Sequence, residues 1–181
     1  GLTVGTVDGT TGIVTTDDNV TLAVGGNLLT VGAVITAGGG TVSLTSNTIA
    51  ITAAVTGNGG ISLITDANAT TIALNDGTGT FSLSTAELQF LASTGTVTIG
   101  TGSGSGAINI GSIGAISLAS EGFNLSLIGA SSNVVFNNGI TLLNNGTMTF
   151  TIGSGTILST GSQARDITIA GSTGTILFTS S

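Results

Sequence analysis

The sequence lacks most of the side chains that carry chemistry. Its 181 residues include no cysteine, proline, histidine, tryptophan or tyrosine, and only one residue is a lysine or arginine. Without cysteine there is no disulfide framework and no thiolate zinc site. Catalysis needs groups that exchange protons or attack a substrate, and the chain offers for this only eight carboxylates and one arginine. We therefore expect a protein that is not an enzyme, with no catalytic residue, no cofactor and no metal centre.

Charge is scarce as well as one-sided. The formal net charge is −7, and only 5% of the residues are charged, against roughly 25% in an ordinary globular protein. A single cation, Arg165, cannot neutralise a run of phosphates or attract an anionic lipid surface. No apolar run approaches the ~18 residues of a membrane-spanning helix. We expect no nucleic-acid partner and no membrane insertion.

Short apolar–polar–apolar triplets are abundant, and the stretch from Gly95 to Leu118 contains three of them: Val97-Thr98-Ile99, Ile108-Asn109-Ile110 and Ile116-Ser117-Leu118. Side chains alternate along a β-strand. Each triplet therefore predicts a strand with two apolar side chains inward and one polar side chain outward. The glycine, serine and threonine between the triplets predict corners.

The triplets recur at a spacing near 20 residues. One series starts at Leu2, Val20, Val42, Ile61, Phe81, Val97, Ile116, Val134, Ile157 and Ile176. A second series lies between these residues: Ile49, Ile72, Leu88, Ile108, Leu125, Met148 and Ile167. Such a period is typical of a solenoid, in which stacked coils enclose a continuous core. We predict an all-β fold, a right-handed parallel β-helix of about 9–10 coils of about 19–20 residues each, forming a single domain over residues 1–181.

Two local signals refine this prediction. Four pairs predict turns that tolerate positive φ: Asn58-Gly59, Asp76-Gly77, Asn138-Gly139 and Asn145-Gly146. The segment from Ser84 to Ala92 opens with a Ser-x-x-Glu capping box that could start a helical turn. We favour a strand through Leu88-Gln89-Phe90 instead, because Leu88 falls on the second series.

Several units have the form Gly-Thr/Ala-apolar-x-apolar: Gly40 to Leu44, Gly79 to Leu83, Gly95 to Ile99, Gly114 to Leu118 and Gly174 to Phe178. In these units the chain resembles the repeat region of filamentous-haemagglutinin-like exoproteins, bacterial adhesins exported by two-partner secretion. The resemblance implies a right-handed parallel β-helix located outside the cell or on the bacterial cell surface. The secretion module of that family carries Asn-Pro motifs, which a proline-free chain lacks, so the resemblance implies shaft rather than export signal.

The candidate sites are few. Four Asn-x-Ser/Thr sequons are candidate glycosylation sites, at Asn19, Asn68, Asn124 and Asn145. The end strands carry candidate residues for end-to-end stacking: Leu2, Val4, Ile176 and Phe178. The Asp17-Asp18 pair is most simply a solvated turn, and calcium bound by corner Asp and Asn oxygens stays an open alternative.

Two functions fit these expectations. The leading interpretation is a structural or adhesive shaft or fibre subunit outside a bacterial cell, either a fragment of a longer solenoid or a subunit that stacks. Its partners would be a second copy of itself or adjoining coils of a longer chain, together with a host-surface or glycan receptor. The alternative is a ligand-binding solenoid with a flat Thr/Asn face for ice or glycan. The sequence predicts that this array is broken, because many coils offer Ser, Asn or Ala instead of Thr.

Overall fold

The computed structural model describes residues 1–142, 146–160, 166–169 and 174–179. Within these ranges nearly all regular structure is strand, and the single helix, α1, spans Thr85–Gln89. In chain order the strands are β1 (Leu2–Val4), β2 (Thr6–Val7), β3 (Thr10–Thr11), β4 (Ile13–Val14), β5 (Val20–Ala23), β6 (Leu28–Val31), β7 (Ile35–Thr36), β8 (Thr41–Thr45), β9 (Thr48–Ile51), β10 (Val55–Thr56), β11 (Gly60–Ile64), β12 (Ile72–Leu74), β13 (Phe81–Leu83), β14 (Leu91–Ala92), β15 (Thr96–Thr101), β16 (Ile108–Ile110), β17 (Ile116–Leu118), β18 (Asn124–Gly129), β19 (Val134–Phe136), β20 (Ile140–Leu142), β21 (Thr147–Thr151), β22 (Ile157–Ser159), β23 (Ile167–Ile169) and β24 (Thr175–Thr179).

The chain winds past three faces in a fixed order. Face A is a continuous seven-stranded sheet in the described part of the chain, with strand order β24-β21-β18-β15-β11-β8-β5. Face B holds the sheets β1-β6-β9 and β13-β12-β16-β19-β22, and face C holds β14-β10-β7-β4 and β17-β20-β23. Neighbouring strands within each of these sheets are parallel. The predicted parallel β-solenoid is therefore confirmed, while its right-handed winding stays a prediction.

The triplets behave as their alternation predicts. Val97 and Ile99 are fully buried while Thr98 between them is half-buried on the outside, and the triplet at Ile108 repeats this pattern. The stretch from Gly95 to Leu118 is one turn, since β15, β16 and β17 lie on faces A, B and C in succession. Register places inward residues above one another, so that the core is a continuous column of Val, Ile, Leu and Phe. This stacking is what buries the inner surface that no single turn could enclose.

The number of turns is lower than the sequence predicted. The structure has about seven turns rather than 9–10. Successive strands of face A are offset by 22, 19, 36, 28, 23 and 28 residues, so the turns are both longer and less regular than 19–20 residues. The fixed period was wrong because it joined residues from different faces. Phe81 and Val134 of the first series lie on face B, and Ile116 lies on face C.

The longest turn, between β11 and β15, passes face B twice. Strand β12 pairs with β16 of the next turn, and β13 then pairs back onto β12 and lies against β9. Only residues 75–80 join these two parallel strands, whereas a parallel crossover usually needs about a dozen residues or more. We call this doubled segment, β12 with β13, the wedge, because it inserts an extra strand into face B alone.

Helix α1 follows the wedge, and the strand predicted at Leu88-Gln89-Phe90 is therefore wrong. The capping box is formed in full, with Ser84 as N-cap and Glu87 at the third helical position. Leu88 is still buried, so it serves the core from a helix rather than from a strand. The helix packs against β17 of face C, where the two sheets of that face are not joined to each other. Among the described residues, no helix is long and apolar enough to cross a bilayer.

Turn geometry departs from the predicted pairs in detail. At Asp76-Gly77 the left-handed residue is Asn75, one position earlier, with φ of 47°. At Asn58-Gly59 the positive φ lies on Gly60, at 127°. The first turn contains a small antiparallel hairpin, β2–β3, whose two-residue turn Asp8-Gly9 has φ of 49° and 79°. Two positive φ values in an Asp-Gly pair are what a tight hairpin turn requires.

Candidate functional surfaces

The outer surface of face A carries a row of hydroxyl groups. The strands are in register, so one outward position per strand forms a line across the sheet: Thr21, Ser43, Ser62, Thr98, Ser126, Thr149 and Leu177. Every member except Leu177 bears a hydroxyl group. A second outward row is more mixed and consists of Thr41, Gly60, Thr96, Asn124, Thr147 and Thr175. As an array of threonine alone the row is broken, as the sequence predicted, because Ser43, Ser62 and Ser126 stand among the threonines. As a row of hydroxyl groups it is continuous over six strands.

This surface, which we call the hydroxyl face, has defined spacings. Neighbouring strands of a sheet lie about 4.8 Å apart and alternate residues of one strand about 6.6 Å apart. Neither of its two rows contains a charged residue. Hydroxyl groups both donate and accept hydrogen bonds. The face therefore suits an uncharged ligand that is itself rich in hydroxyl groups or water.

At the corners, asparagine side chains join one turn to the next. The Asn19 side-chain oxygen accepts hydrogen bonds from the Thr41 amide (2.8 Å) and hydroxyl (2.9 Å). Asn133 makes the same pair of bonds with Thr156, at 3.0 and 2.9 Å. These contacts satisfy the amides of Thr41 and Thr156, which lie just before the first paired residues of β8 with β5 and of β22 with β19. We call this pattern the corner amides.

Three of the four sequons take part in such contacts. Asn19 belongs to the corner amides, Asn124 accepts from the Thr147 amide (2.8 Å), and Asn68 accepts from the Ser103 hydroxyl (2.8 Å). In each case the side-chain oxygen makes the bond, whereas a glycan would be attached to the nitrogen. Asn19 and Asn68 are exposed and Asn124 is half-buried. Asn145 lies outside the described residues, and glycosylation stays a prediction at all four sites.

A buried carboxylate, Asp76, holds the short loop of the wedge. Its side chain is 1% exposed, and its first oxygen accepts from the amide and hydroxyl of Thr78. The second oxygen accepts from the Ser112 amide (3.1 Å) and the Asn137 side-chain nitrogen (3.0 Å). Burial raises the pKa of this carboxyl, but the hydrogen bonds from Thr78 and Ser112 outweigh burial and hold the pKa below its usual 3.8.

The sequence analysis treated Asp76 only as part of a turn pair and missed this role. The local signal was present, because an Asp that accepts from the amide two residues later forms an Asx turn. The contacts with Ser112 and Asn137 had no such signal, since they come from later turns. With both oxygens accepting two hydrogen bonds, Asp76 is a structural group rather than a free ligand.

A second carboxylate, Glu87, closes the sheet edge beside the wedge. One oxygen accepts from the backbone amide of Ile51 in β9 (3.0 Å). The other accepts from the Ser84 amide (2.9 Å), as the capping box requires, and also from the Ser84 hydroxyl (2.8 Å). The same side chain thus caps helix α1 and accepts the hydrogen bond of the Ile51 amide. No neighbouring strand in the described part of the chain provides a carbonyl acceptor for that amide.

The remaining acidic residues do not come together. Asp17 accepts from the Gly39 amide of the next turn (2.9 Å), so the Asp17-Asp18 turn is tied to its neighbour rather than only solvated. Among the described residues, no group of three or more Asp or Glu side chains is placed to hold a metal ion. Arg165 lies outside the described residues.

The two ends of the solenoid expose its core. At the amino-terminal end, inward residues of three faces line a groove of about 220 Å³: Leu2 and Val4 from β1, Ile13 from β4 and Leu22 from β5. Leu2 is 40% exposed, while Val4, two residues further along β1, is buried. Leu2 and Val4 lie on face B, so they are not in line with Ile176 and Phe178, which lie on face A.

At the carboxy-terminal end the last strand, β24, leaves its inner side uncovered. Ile176 and Phe178 are 38% and 56% exposed, and Ile157 of β22 is 39% exposed. The Phe178 ring stacks on Phe150 with centroids 5.2 Å apart, and Phe150 meets Phe136 edge to face at 5.8 Å. Three phenylalanine rings in contact therefore form this end of the core, and the last of them, Phe178, is exposed.

Comparison of the chain with protein-family models, curated proteins and solved structures found no match.

Proposed function

We propose that this chain is a non-catalytic structural shaft of a bacterial surface protein, which holds other parts of an extracellular assembly apart. The observation that carries the proposal is the uninterrupted face A, in which seven parallel strands stack in register across the whole described part of the chain. Six steps of about 4.8 Å give a length of roughly 30 Å from β5 to β24. The resemblance to filamentous-haemagglutinin-like repeats supports the extracellular location, and the adhesive role belongs to the same proposal.

The chemistry of the surface supports a structural role. Coils are joined by backbone ladders, corner amides and the two satisfied carboxylates Asp76 and Glu87, all of which serve the fold itself. Polar groups whose hydrogen bonds are all made within the protein are poorly placed to activate a substrate. A shaft needs stiffness and chemical inertness, and both follow from these contacts.

The proposal is tested by measuring distances along face A. Because the chain has no cysteine, spin labels can be placed on introduced cysteines at Thr21 and Thr149, which are outward on the same row five strands apart. A matched pair at Thr21 and Ser126 spans four strands. A stiff shaft gives one narrow distance for each pair, with the first longer by about 4.8 Å.

Two results would overturn this proposal. Broad distance distributions would show that the turns do not hold a fixed separation. Cleavage of any member of a panel of polysaccharides by the purified chain would show that it is an enzyme.

A second candidate function is favoured by the hydroxyl face. The central row offers hydroxyl groups on six successive strands with no charged side chain among them. Such an array could bind an extended glycan, or the surface of ice, through many weak hydrogen bonds. Direct measurements are thermal hysteresis for ice and retention on insoluble polysaccharides for glycans.

The control for that measurement uses another face. Ser62→Lys combined with Thr98→Lys would place two charged, longer side chains in the central row and abolish binding. Ser117→Lys, which is outward on face C, would leave binding unchanged. Equal loss in both variants, or no binding by the unaltered chain, would exclude the hydroxyl face as a binding surface.

A further inference from the structure

We propose that Asn138 is a site of spontaneous chemical modification, at which the backbone amide of Gly139 attacks the Asn138 side chain and converts it into aspartate and isoaspartate. The sequence contains three Asn-Gly pairs, which begin at Asn58, Asn138 and Asn145. Asparagine is a chemically labile residue, and a following glycine leaves the backbone free to adopt the conformation of attack. The inference is independent of the shaft and hydroxyl-face proposals.

The reacting groups are already in contact at Asn138. The Gly139 amide donates a hydrogen bond to the Asn138 side-chain oxygen at 3.0 Å. The atom that the amide nitrogen attacks, Cγ, is bonded to that oxygen and therefore lies beside the nitrogen. The hydrogen bond also draws electrons from the Cγ carbonyl group, which makes Cγ more electrophilic. Contact between the reacting groups before the reaction is what accelerates an intramolecular attack.

The side-chain nitrogen of Asn138 is free to leave. It makes no hydrogen bond to another group in the described part of the chain. The preceding asparagine differs, because the side-chain nitrogen of Asn137 donates to Asp76 at 3.0 Å. The Asn138 side chain is only half-buried, so water can reach it. Nucleophile, electrophile and leaving group are therefore all in place at this corner.

The same dipeptide is protected at Asn58. There the Gly59 amide donates to the carbonyl oxygen of Gly40 in the preceding turn, at 3.0 Å. A Cβ atom built at Gly59 would lie 2.9 Å from the carbonyl oxygen of Gly39, so the corner is tightly packed. Attack on Asn58 requires this hydrogen bond to break first. The neighbouring turn thus gives two identical sequence pairs different reactivities. The third pair cannot be compared, since Asn145 lies outside the described residues.

The reaction needs water as its only co-reactant. The Gly139 nitrogen forms a bond to Cγ and gives its proton to water, while the bond from Cγ to Nδ2 breaks and Nδ2 takes up a proton and leaves as ammonia. The product is a succinimide ring. Water then adds to one of the two ring carbonyl groups, the bond from that carbon to nitrogen breaks, and the nitrogen regains a proton. Opening on the side-chain side gives aspartate, and opening on the backbone side gives isoaspartate. No group is oxidised or reduced.

Isoaspartate would distort the corner between β19 and β20. Only residues 137–139 form this corner. It is joined to the preceding turn by hydrogen bonds from the Asn137 amide to the Ile110 carbonyl (2.8 Å) and from the Ile116 amide to the Gly139 carbonyl (2.9 Å). Isoaspartate routes the backbone through the side chain and so adds one carbon atom between these two anchors. The modified chain should therefore be less stable than the unmodified one.

The test is to incubate the folded chain at mildly alkaline pH and to measure the conversion of each asparagine over time. A protease specific for glutamate cleaves after Glu87 and Glu121 and so places Asn58 and Asn138 on different peptides. Mass spectrometry with fragmentation separates Asn138 from Asn145, and aspartate from isoaspartate. The same chain incubated in urea is the unfolded reference. Asn138→Gln is the control variant, because glutamine keeps the amide but closes the corresponding ring far more slowly.

We expect Asn138 of the folded chain to be converted about five- to tenfold faster than Asn58, since reaction at Asn58 must first break a hydrogen bond. In urea the two residues should react at similar rates. The product at position 138 should contain isoaspartate as well as aspartate. After incubation the unaltered chain should unfold at a lower urea concentration than before, and Asn138→Gln should lose less.

Three outcomes would overturn the inference. They are equal conversion of Asn58 and Asn138 in the folded chain, conversion of Asn138 in urea only, and conversion to aspartate without isoaspartate, which would show direct hydrolysis. None of them bears on the shaft proposal, which the label distances test separately.

Discussion

At the scale of single residues, glycine is required where the corners of two neighbouring turns are in close contact. Gly38 has a φ of 52°, and a Cβ atom built there would lie 1.4 Å from the carbonyl oxygen of Thr16 in the preceding turn. Both the conformation and the space therefore exclude a side chain.

We expect Gly38→Ala to lower the free energy of unfolding by about 2–3 kcal/mol, because it combines backbone strain with a backbone clash. Urea denaturation at neutral pH measures the change. Gly102→Ala is the matched control: its Cβ meets no atom within 4 Å and its φ is not positive. A Gly38 variant as stable as the Gly102 variant would contradict this reading of the corner.

Asp76 links stability to pH. Its pKa is lowered in the folded chain, so its ionised form stabilises the fold at pH values above the usual carboxyl pKa. This contribution is lost as the pH falls below 3.8 and through the lower folded pKa. We expect Asp76→Ala to cost about 1–3 kcal/mol at pH 7, since it leaves the amides of Thr78 and Ser112 without acceptors.

The pH dependence separates this effect from simple loss of packing. The difference in unfolding free energy between the unaltered chain and Asp76→Ala should shrink as the pH is lowered from 4 towards 2. Thermal unfolding monitored by circular dichroism follows it, with Asp66→Ala, at an exposed aspartate, as control. A difference that is constant over this range would show that the charge of Asp76 plays no part.

At the scale of elements, Glu87 stabilises the place where the wedge and helix α1 interrupt the regular stacking of turns. Its carboxylate serves helix α1 and the Ile51 amide together, so Glu87→Ala should destabilise the chain by about 1–3 kcal/mol. Glu121→Ala, which removes a carboxylate hydrogen-bonded to its neighbour Ser120, should change stability by less than about 0.5 kcal/mol. Chemical denaturation compares the two, and equal effects would refute the role assigned to Glu87.

Elements also show how far sequence reasoning reaches. The direction of each side chain in a triplet such as Val97-Thr98-Ile99 could be predicted, because alternation along a strand is a local property. The turn length could not be predicted, because the corners vary in length, from two residues between β8 and β9 to seven between β11 and β12. For this reason Phe81 and Val20 were placed in one series although they lie on different faces.

The helix and the wedge were hidden for a related reason. The capping box at Ser84 and Glu87 was visible, but an assumed period placed Leu88 in a strand, and a buried leucine fits either structure. The contacts of Asp76 with Ser112 and Asn137 join positions 36 and 61 residues away. No local pattern specifies partners at such separations.

At the scale of the whole molecule, a tandem fusion of two copies tests how the turns stack. If two copies are fused directly, Ser180, Ser181 and Gly1 lie between Thr179 of one copy and Leu2 of the next. The corresponding crossing from face A to face B inside the chain, from Ala23 to Leu28, uses four residues. A direct tandem fusion should therefore continue the solenoid.

We expect the tandem fusion to unfold at a higher urea concentration than a single copy, because it buries one pair of open ends. The single copy with Phe178→Asp is the reference. A fusion with Phe178→Asp in its first copy only should lose the gain. Equal midpoints for the two fusions would show that the junction does not form.

The unequal turns have a mechanical consequence. When a solenoid is pulled at one terminus, its turns unfold one after another. Each unfolded turn lengthens the chain in proportion to its number of residues. At about 3.5 Å per residue, most turns would release about 65 to 100 Å, and the 36-residue turn that contains the wedge about 125 Å. Force applied to the chain would therefore lengthen it in steps of unequal size, which single-molecule pulling can measure.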